Sequence, residues 1–228
     1  MLTNQLVKET DQKVQLLSKI AAGVFIVVAN IQGYRHIGLP VVVIVGLSSI
    51  IAFLIWSGTY LKRPVDPKII LPLFLLTVAG LEVHMCEEYL TGFGPAMSRL
   101  FDISWTEKTF LMIFAFIGPV IYTLTALGLY YRIPLAGFMA WFIFIGPGLA
   151  EFTHFIFPAM RPDILPNVKG VIPQEVINGT VVTNLKNYFV ETTGKYYFPG
   201  MYTAILPMIP GSYAVIKLLK NARNKSVE

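Results

Sequence analysis

The run IILPLFLLTVAGLEVHMCEEYL, Ile69 to Leu90, decides the fold. It lacks the alternation of a half-buried strand and is long enough to cross a bilayer as a helix. Glu82, His84, Glu87 and Glu88 stand in its last third. A charged side chain at mid-bilayer costs roughly 2.5–3.5 kcal/mol on insertion scales, so such residues face protein or a water-filled cavity rather than lipid. At about 100° per residue, Glu87 lies about −60° and Glu88 about +40° from His84, so one imidazole and two carboxylates share a helical face. Glu82 lies about 160° away, on the other face, and reads as a partner for a polar group such as Asn30.

The rest of the chain is of the same kind. Its 228 residues are 55% hydrophobic and only 14% charged, against the roughly 25% charge of a soluble domain. Mean hydropathy is +0.64. The expected fold is all-α: a polytopic transmembrane helical bundle of about six spans, forming a single domain over residues 1–228. The spans read as Leu16–Gly33, Ile37–Trp56, Ile69–Leu90, Thr109–Tyr131, Ile133–Phe157 and Phe198–Leu219. Trp56 and Tyr60 read as interface anchors. The polar segment before the first span argues for a span rather than a cleaved signal peptide. Pro95–Trp105 puts Met97, Leu100, Phe101 and Trp105 on one side and reads as a short interfacial helix. Gly146-Pro147-Gly148 should kink or break span five, because a proline loses one backbone bond and clashes one turn back. Cys86 is the single cysteine, which excludes an internal disulfide.

Residues 160–195 are polar and too long for a tight link. Asn178-Gly179 between β-favouring residues signals a hairpin, and a long ordered loop is more often functional than not, so a lid is the expectation. Asn178-Gly179-Thr180 is formally a glycosylation sequon, but the same dipeptide serves the turn. The net charge of +5 is spread over loops and tails, with no basic run of the kind that binds nucleic acid. With six spans, eleven Lys and Arg fall on the side of the termini and seven on the other, which predicts cytoplasmic termini and a non-cytoplasmic 160–195 loop. That topology brings all three histidines, His36, His84 and His154, to one depth beneath the loop.

Glu151-Phe-Thr-His154, at the end of span five, is the second cluster. His-x-x-Glu and Glu-x-x-His each place two ligands on one helical face, a spacing that suits zinc, or iron in carboxylate-rich bundles. Two arrangements remain open. One is a single divalent metal held by His84, His154 and a Glu, with another Glu as general base; the other is a carboxylate-bridged metal pair using all five groups. The candidate ligands are His84, Glu88, Glu151 and His154, with His36 as a further imidazole. The candidate catalytic carboxylates are Glu87 and Glu88. Buried acids and histidines also pair simply to satisfy one another, which is the structural alternative.

His84-Met-Cys-Glu87-Glu88 in a membrane helix resembles the HXXEE family of small membrane proteins, named for that motif. Tyr197-Phe-Pro199-Gly200-Met-Tyr-Thr203-Ala204, opening the last span, is similar to that family's Pro-Gly and Thr-Ala pattern. The family's second motif more often carries an Asn some residues before a His, where this chain has Glu151, and the long loop before the last span is extra. The resemblance covers most of the chain from Ile69 onward. It implies the fold and a functional role for the motif, and leaves the activity open.

The expected function is a membrane-embedded metal-dependent enzyme. Its substrate would be a lipid or other apolar small molecule, reached from the surrounding membrane lipid near the outer headgroup region. Hydrolysis or transfer by metal-activated water comes first and di-iron oxidation second. A metal-free acid/base isomerase using His84 and Glu88 is an alternative. The rival from another class is a proton- or cation-coupled transporter or channel subunit using the same residues as a relay; the break at Pro147 favours it, and the lack of an inverted repeat disfavours it.

Overall fold

A computed structural model describes residues 10–101, 103, 105, 107–160, 174–177, 180–183 and 196–224. The chain is a helical bundle. Five of its helical stretches are long and apolar enough to cross a membrane: α1 (Gln12–His36), α2 (Leu39–Gly58), α3 (Pro67–Thr91), α5 (Lys108–Tyr130), and the stretch Pro134–Phe155 that opens as α6 (Pro134–Ile145). A short α4 (Phe93–Phe101) follows α3, and α7 (Ile205–Asn224) closes the described chain.

Helix starts follow their local chemistry. The Asp11 side chain accepts from the Lys13 and Val14 amides at the head of α1. Asp66 accepts from the Lys68 amide at the head of α3, with Pro67 at the first helical position. Each such cap stabilises its helix by about 1 kcal/mol. Gly92, at φ +80°, ends α3 in the left-handed region, which lets the chain turn at once into α4.

Two cores hold the bundle. One joins Trp56, Tyr60, Phe74, Phe138, Trp141, Phe144 and Leu218. The other joins Met97, Phe93, Trp105, Phe110, Phe157 and Phe198 beside the His/Glu groups. α7 lies chiefly along α3. At Gly80 the two approach so closely that a Cβ would stand 2.7 Å from the Leu206 carbonyl carbon. Close backbone approach at small residues is how helices associate in lipid, where hydrophobic burial between them is not a driving force. Long apolar side chains on α1 and α2, such as Val24, Val27, Leu47 and Leu54, remain exposed and form a lipid-facing surface.

Several expectations are corrected. Trp56 and Tyr60 are buried, not interface anchors, and the Trp56 indole donates to the Pro134 carbonyl at 2.9 Å across to α6. The expected interfacial helix is α4. Its apolar side enters the second core, where Met97 is buried, and Trp105, beyond the end of the helix, is buried in the same core. The last helix begins at Ile205 rather than Phe198, since Pro199 and Gly200 (φ +85°) turn the chain first. With Lys217, Lys220 and Arg223 in its final turns, α7 is not among the five apolar stretches. Glu82 does not pair with Asn30: the Asn30 amide donates to the Ile26 carbonyl within its own helix, and Glu82 Oε1 is buried without a partner among the described residues.

β1 (Gln174–Ile177) and β2 (Thr180–Thr183) pair antiparallel, with Ile177 opposite Thr180. The Asn178-Gly179 turn and most of the expected lid, residues 160–195, lie outside the described residues.

Candidate metal centre

His84 and Glu88 stand one turn apart on α3 and present one buried face. The second pair arises from a different geometry. After Ile145 the α-helix stops. The Gly148 amide bonds back to the Ile143 carbonyl, and a Cβ at Gly148 would strike the Phe144 carbonyl at 2.3 Å, so only glycine fits this close turn. The chain resumes as a tighter 3-10 coil over Ala150–Phe155. At three residues per turn, positions i and i+3 eclipse, so Glu151 and His154 are carried to the same side.

The two pairs meet. His84 Nε2 lies 3.1 Å from Glu151 Oε2 and 3.5 Å from Glu88 Oε1. His154 Nε2 lies 2.9 Å from Glu151 Oε2 and 3.2 Å from Glu88 Oε1. One ligand atom from each residue falls within 4.8 Å of all the others. Zinc bonds of about 2.0–2.1 Å in a tetrahedron separate neighbouring ligand atoms by about 3.3 Å, close to the four separations seen. These four residues can hold a metal ion. His84, Glu88 and His154 are 0%, 2% and 1% exposed, while the Glu151 side chain reaches 15% and forms the least covered edge.

The outer partners fix both imidazoles. His154 Nδ1 is 2.7 Å from the Pro199 carbonyl, which can only accept, so this nitrogen carries the proton. His84 Nδ1 is 3.2 Å from Thr203 Oγ1, and that hydroxyl gives its own proton to Glu87 Oε2 at 2.5 Å, so it receives one from His84. Both Nε2 atoms are therefore the ones turned toward the carboxylates. Rings of Phe93 and Phe198 pack against His154 at centroid distances of 5.2 and 5.9 Å, which holds the ring plane.

Glu87 stands beside these four residues and not among them. It accepts four hydrogen bonds from the segment that opens α7: Tyr197 Oη at 2.8 Å, the Tyr202 amide at 3.3 Å, the Thr203 amide at 2.7 Å and Thr203 Oγ1. Burial pushes the Tyr197 phenol well up, with Thr91 opposing and the Glu87 carboxylate adding to the rise, so it stays a donor. Glu88 Oε2, by contrast, is buried without a partner among the described residues. His36 is exposed at the end of α1 and lies outside the group.

Gly200, Pro199 and Thr203 were not candidates from sequence. A Cβ at Gly200 would stand 2.7 Å from Glu88 Cγ, 2.8 Å from His84 Cε1 and 2.9 Å from His154 Cε1. The glycine thus closes directly over the centre, in a positive-φ conformation that other residues rarely adopt. The Pro-Gly and Thr-Ala pattern was the signal that pointed to this segment, though not to its contacts. No protein-family model matches the chain, and no curated protein or solved structure matches it.

Proposed function

We propose that the chain is a membrane-embedded metalloenzyme in which His84, Glu88, Glu151 and His154 hold one divalent cation, zinc or iron. The observation that carries this reading is the commitment of both Nδ1 atoms to outer acceptors, which turns two Nε2 lone pairs onto two carboxylate oxygens. Four acceptors converging in a buried space repel one another unless a cation lies between them, and two carboxylates balance a charge of +2. A bound cation supplies Lewis acidity toward an ester, phosphoryl or carbonyl oxygen.

The chain's own residues have distinct parts. Glu88 binds through Oε1, and its unpartnered Oε2 is placed to take a proton. Glu87, filled by its four donors, positions His84 through Thr203 and is not the base. The substrate is a lipid or another apolar molecule. It enters past Glu151, whose neighbours Phe152, Phe155 and Ile156 are exposed and apolar. Hydrolysis or group transfer is the reaction class.

The second reading is a proton relay. It rests on the same four groups with both imidazoles protonated instead of metallated, and on the break at Pro147. Elemental analysis of protein purified without chelators separates the two. The metal reading expects about one zinc or iron per chain, and loss of most of it in His84→Ala and in His154→Ala. A wild-type chain that neither carries nor takes up a stoichiometric ion leaves the relay.

A further inference from the structure

Glu82 takes no part in the His/Glu centre. It stands on α3 two residues before His84, about 3 Å of helix rise, and about 160° around the helix from it. The side chain is half-buried. Oε1 is turned inward and has no hydrogen-bond partner among the described residues, while Oε2 keeps accessible surface. Its neighbours Val83 and Cys86 are exposed, so lipid reaches this side of α3. An ionisable side chain inside a span is costly to keep there and functional by default.

The helix packed beside it offers a second free polar group. α5 lies against α3, and its Tyr122 is half-buried against both cores. Long helical side chains lean toward the N-terminus of their own helix. Tyr122 does so, with its Oη over Gly118, where a Cβ would stand 3.2 Å from it. α5 starts at the end of the bundle where α3 finishes, so that lean carries the phenol toward the His/Glu group. It comes within electrostatic reach of both Glu82 and Glu151. Tyr122 Oη makes no hydrogen bond among the described residues and keeps accessible surface. Directly before Gly118, α5 widens into a π-type turn over Met112–Ile117, a feature that recurs at functional sites.

We propose that Glu82 and Tyr122 together bind a hydroxyl group of the substrate, and so select a hydroxylated lipid. The chemistry is complementary. A carboxylate oxygen accepts and the phenol donates, and a hydroxyl is the small group that does both at once. A protonated Glu82 would bond to it equally, so the selection does not depend on that charge. A lipid without the hydroxyl leaves both protein groups unpaired, which is how a polar contact discriminates strongly in a desolvated place. The closeness of Glu82 to His84 along α3 puts the recognised hydroxyl within a few bonds of the bond that reacts. This selection rests on the reading of the His/Glu centre as one that acts on lipid.

The test uses the full chain in mixed micelles and two probes that differ by one group: a diacylglycerol, and the same molecule with its hydroxyl methylated. Native mass spectrometry counts each lipid retained from an equimolar mixture. The expected result is a preference of about tenfold for the free hydroxyl, falling to near parity in Tyr122→Phe and in Glu82→Leu. Neither substitution touches the four residues of the centre, so metal content, measured on the same preparations, should equal that of the parent. Thermal melting is the fold control, and Tyr122→Phe, which removes a single oxygen, carries the test alone if Glu82→Leu does not fold. The proposal falls if the parent retains both lipids equally, or if a folded variant keeps the parent's preference. A preference that follows these two residues in a chain without metal upholds the hydroxyl site and overturns the metalloenzyme reading alone. Stoichiometric metal without any preference does the reverse.

Discussion

Thr203 connects the Glu87 carboxylate to the His84 imidazole. Its hydroxyl donates to Glu87 and accepts from His84, so the charge on Glu87 sets the tautomer of His84 through one shared hydroxyl. Outer partners of this kind typically govern about 10–100-fold in metal affinity. Thr203→Val, which keeps the shape and loses both bonds, should weaken metal binding by that amount in competition with a chromogenic chelator. Thr203→Ser should restore it. Equal affinity in the valine and parent proteins would show that His84 is held by packing alone. Gly200 acts at the same scale by exclusion. Its missing side chain is what lets the backbone come down onto three ligands at once.

Among the elements, the second half of the stretch Pro134–Phe155 determines whether a site exists. An unbroken α-helix would place Glu151 and His154 about 60° apart, whereas the 3-10 coil after Gly146-Pro147-Gly148 eclipses them. One alanine inserted between Phe152 and Thr153 should turn His154 by about 120° and abolish stoichiometric metal, with the helix content seen by circular dichroism unchanged. Retention of the metal would mean that the coil does not set the register. Five of the six expected spans, the break and both His/Glu pairs were legible from periodicity and from the cost of charge in lipid, since each signal is local. The capture of Glu87 by the start of α7 was not, because it joins residues more than a hundred positions apart through a turn without periodicity. Burial of Trp56, Tyr60 and α4 was equally hidden: an apolar face reads the same whether lipid or protein covers it.

At the scale of the whole molecule, the bundle separates two polar ends along α3, a basic one where α3 starts and the His/Glu group toward the other. The excess of Lys and Arg at the basic end predicts that this end is cytoplasmic. In a Cys86→Ala background, Lys62→Cys should react with an impermeant maleimide only from the cytoplasmic side, and Tyr196→Cys only from the other. The reverse pattern would invert the orientation and place the His/Glu group in the cytoplasmic leaflet. Gly200 has one more consequence, and it concerns how the pieces are joined. The His/Glu groups stand on α3 and on the 3-10 coil, yet the segment that closes over them and orients both imidazoles is residues 197–203. One stretch of chain thus covers the centre and orients both imidazoles, so an ion held there would tie α3, the 3-10 coil and the head of α7 into a single knot.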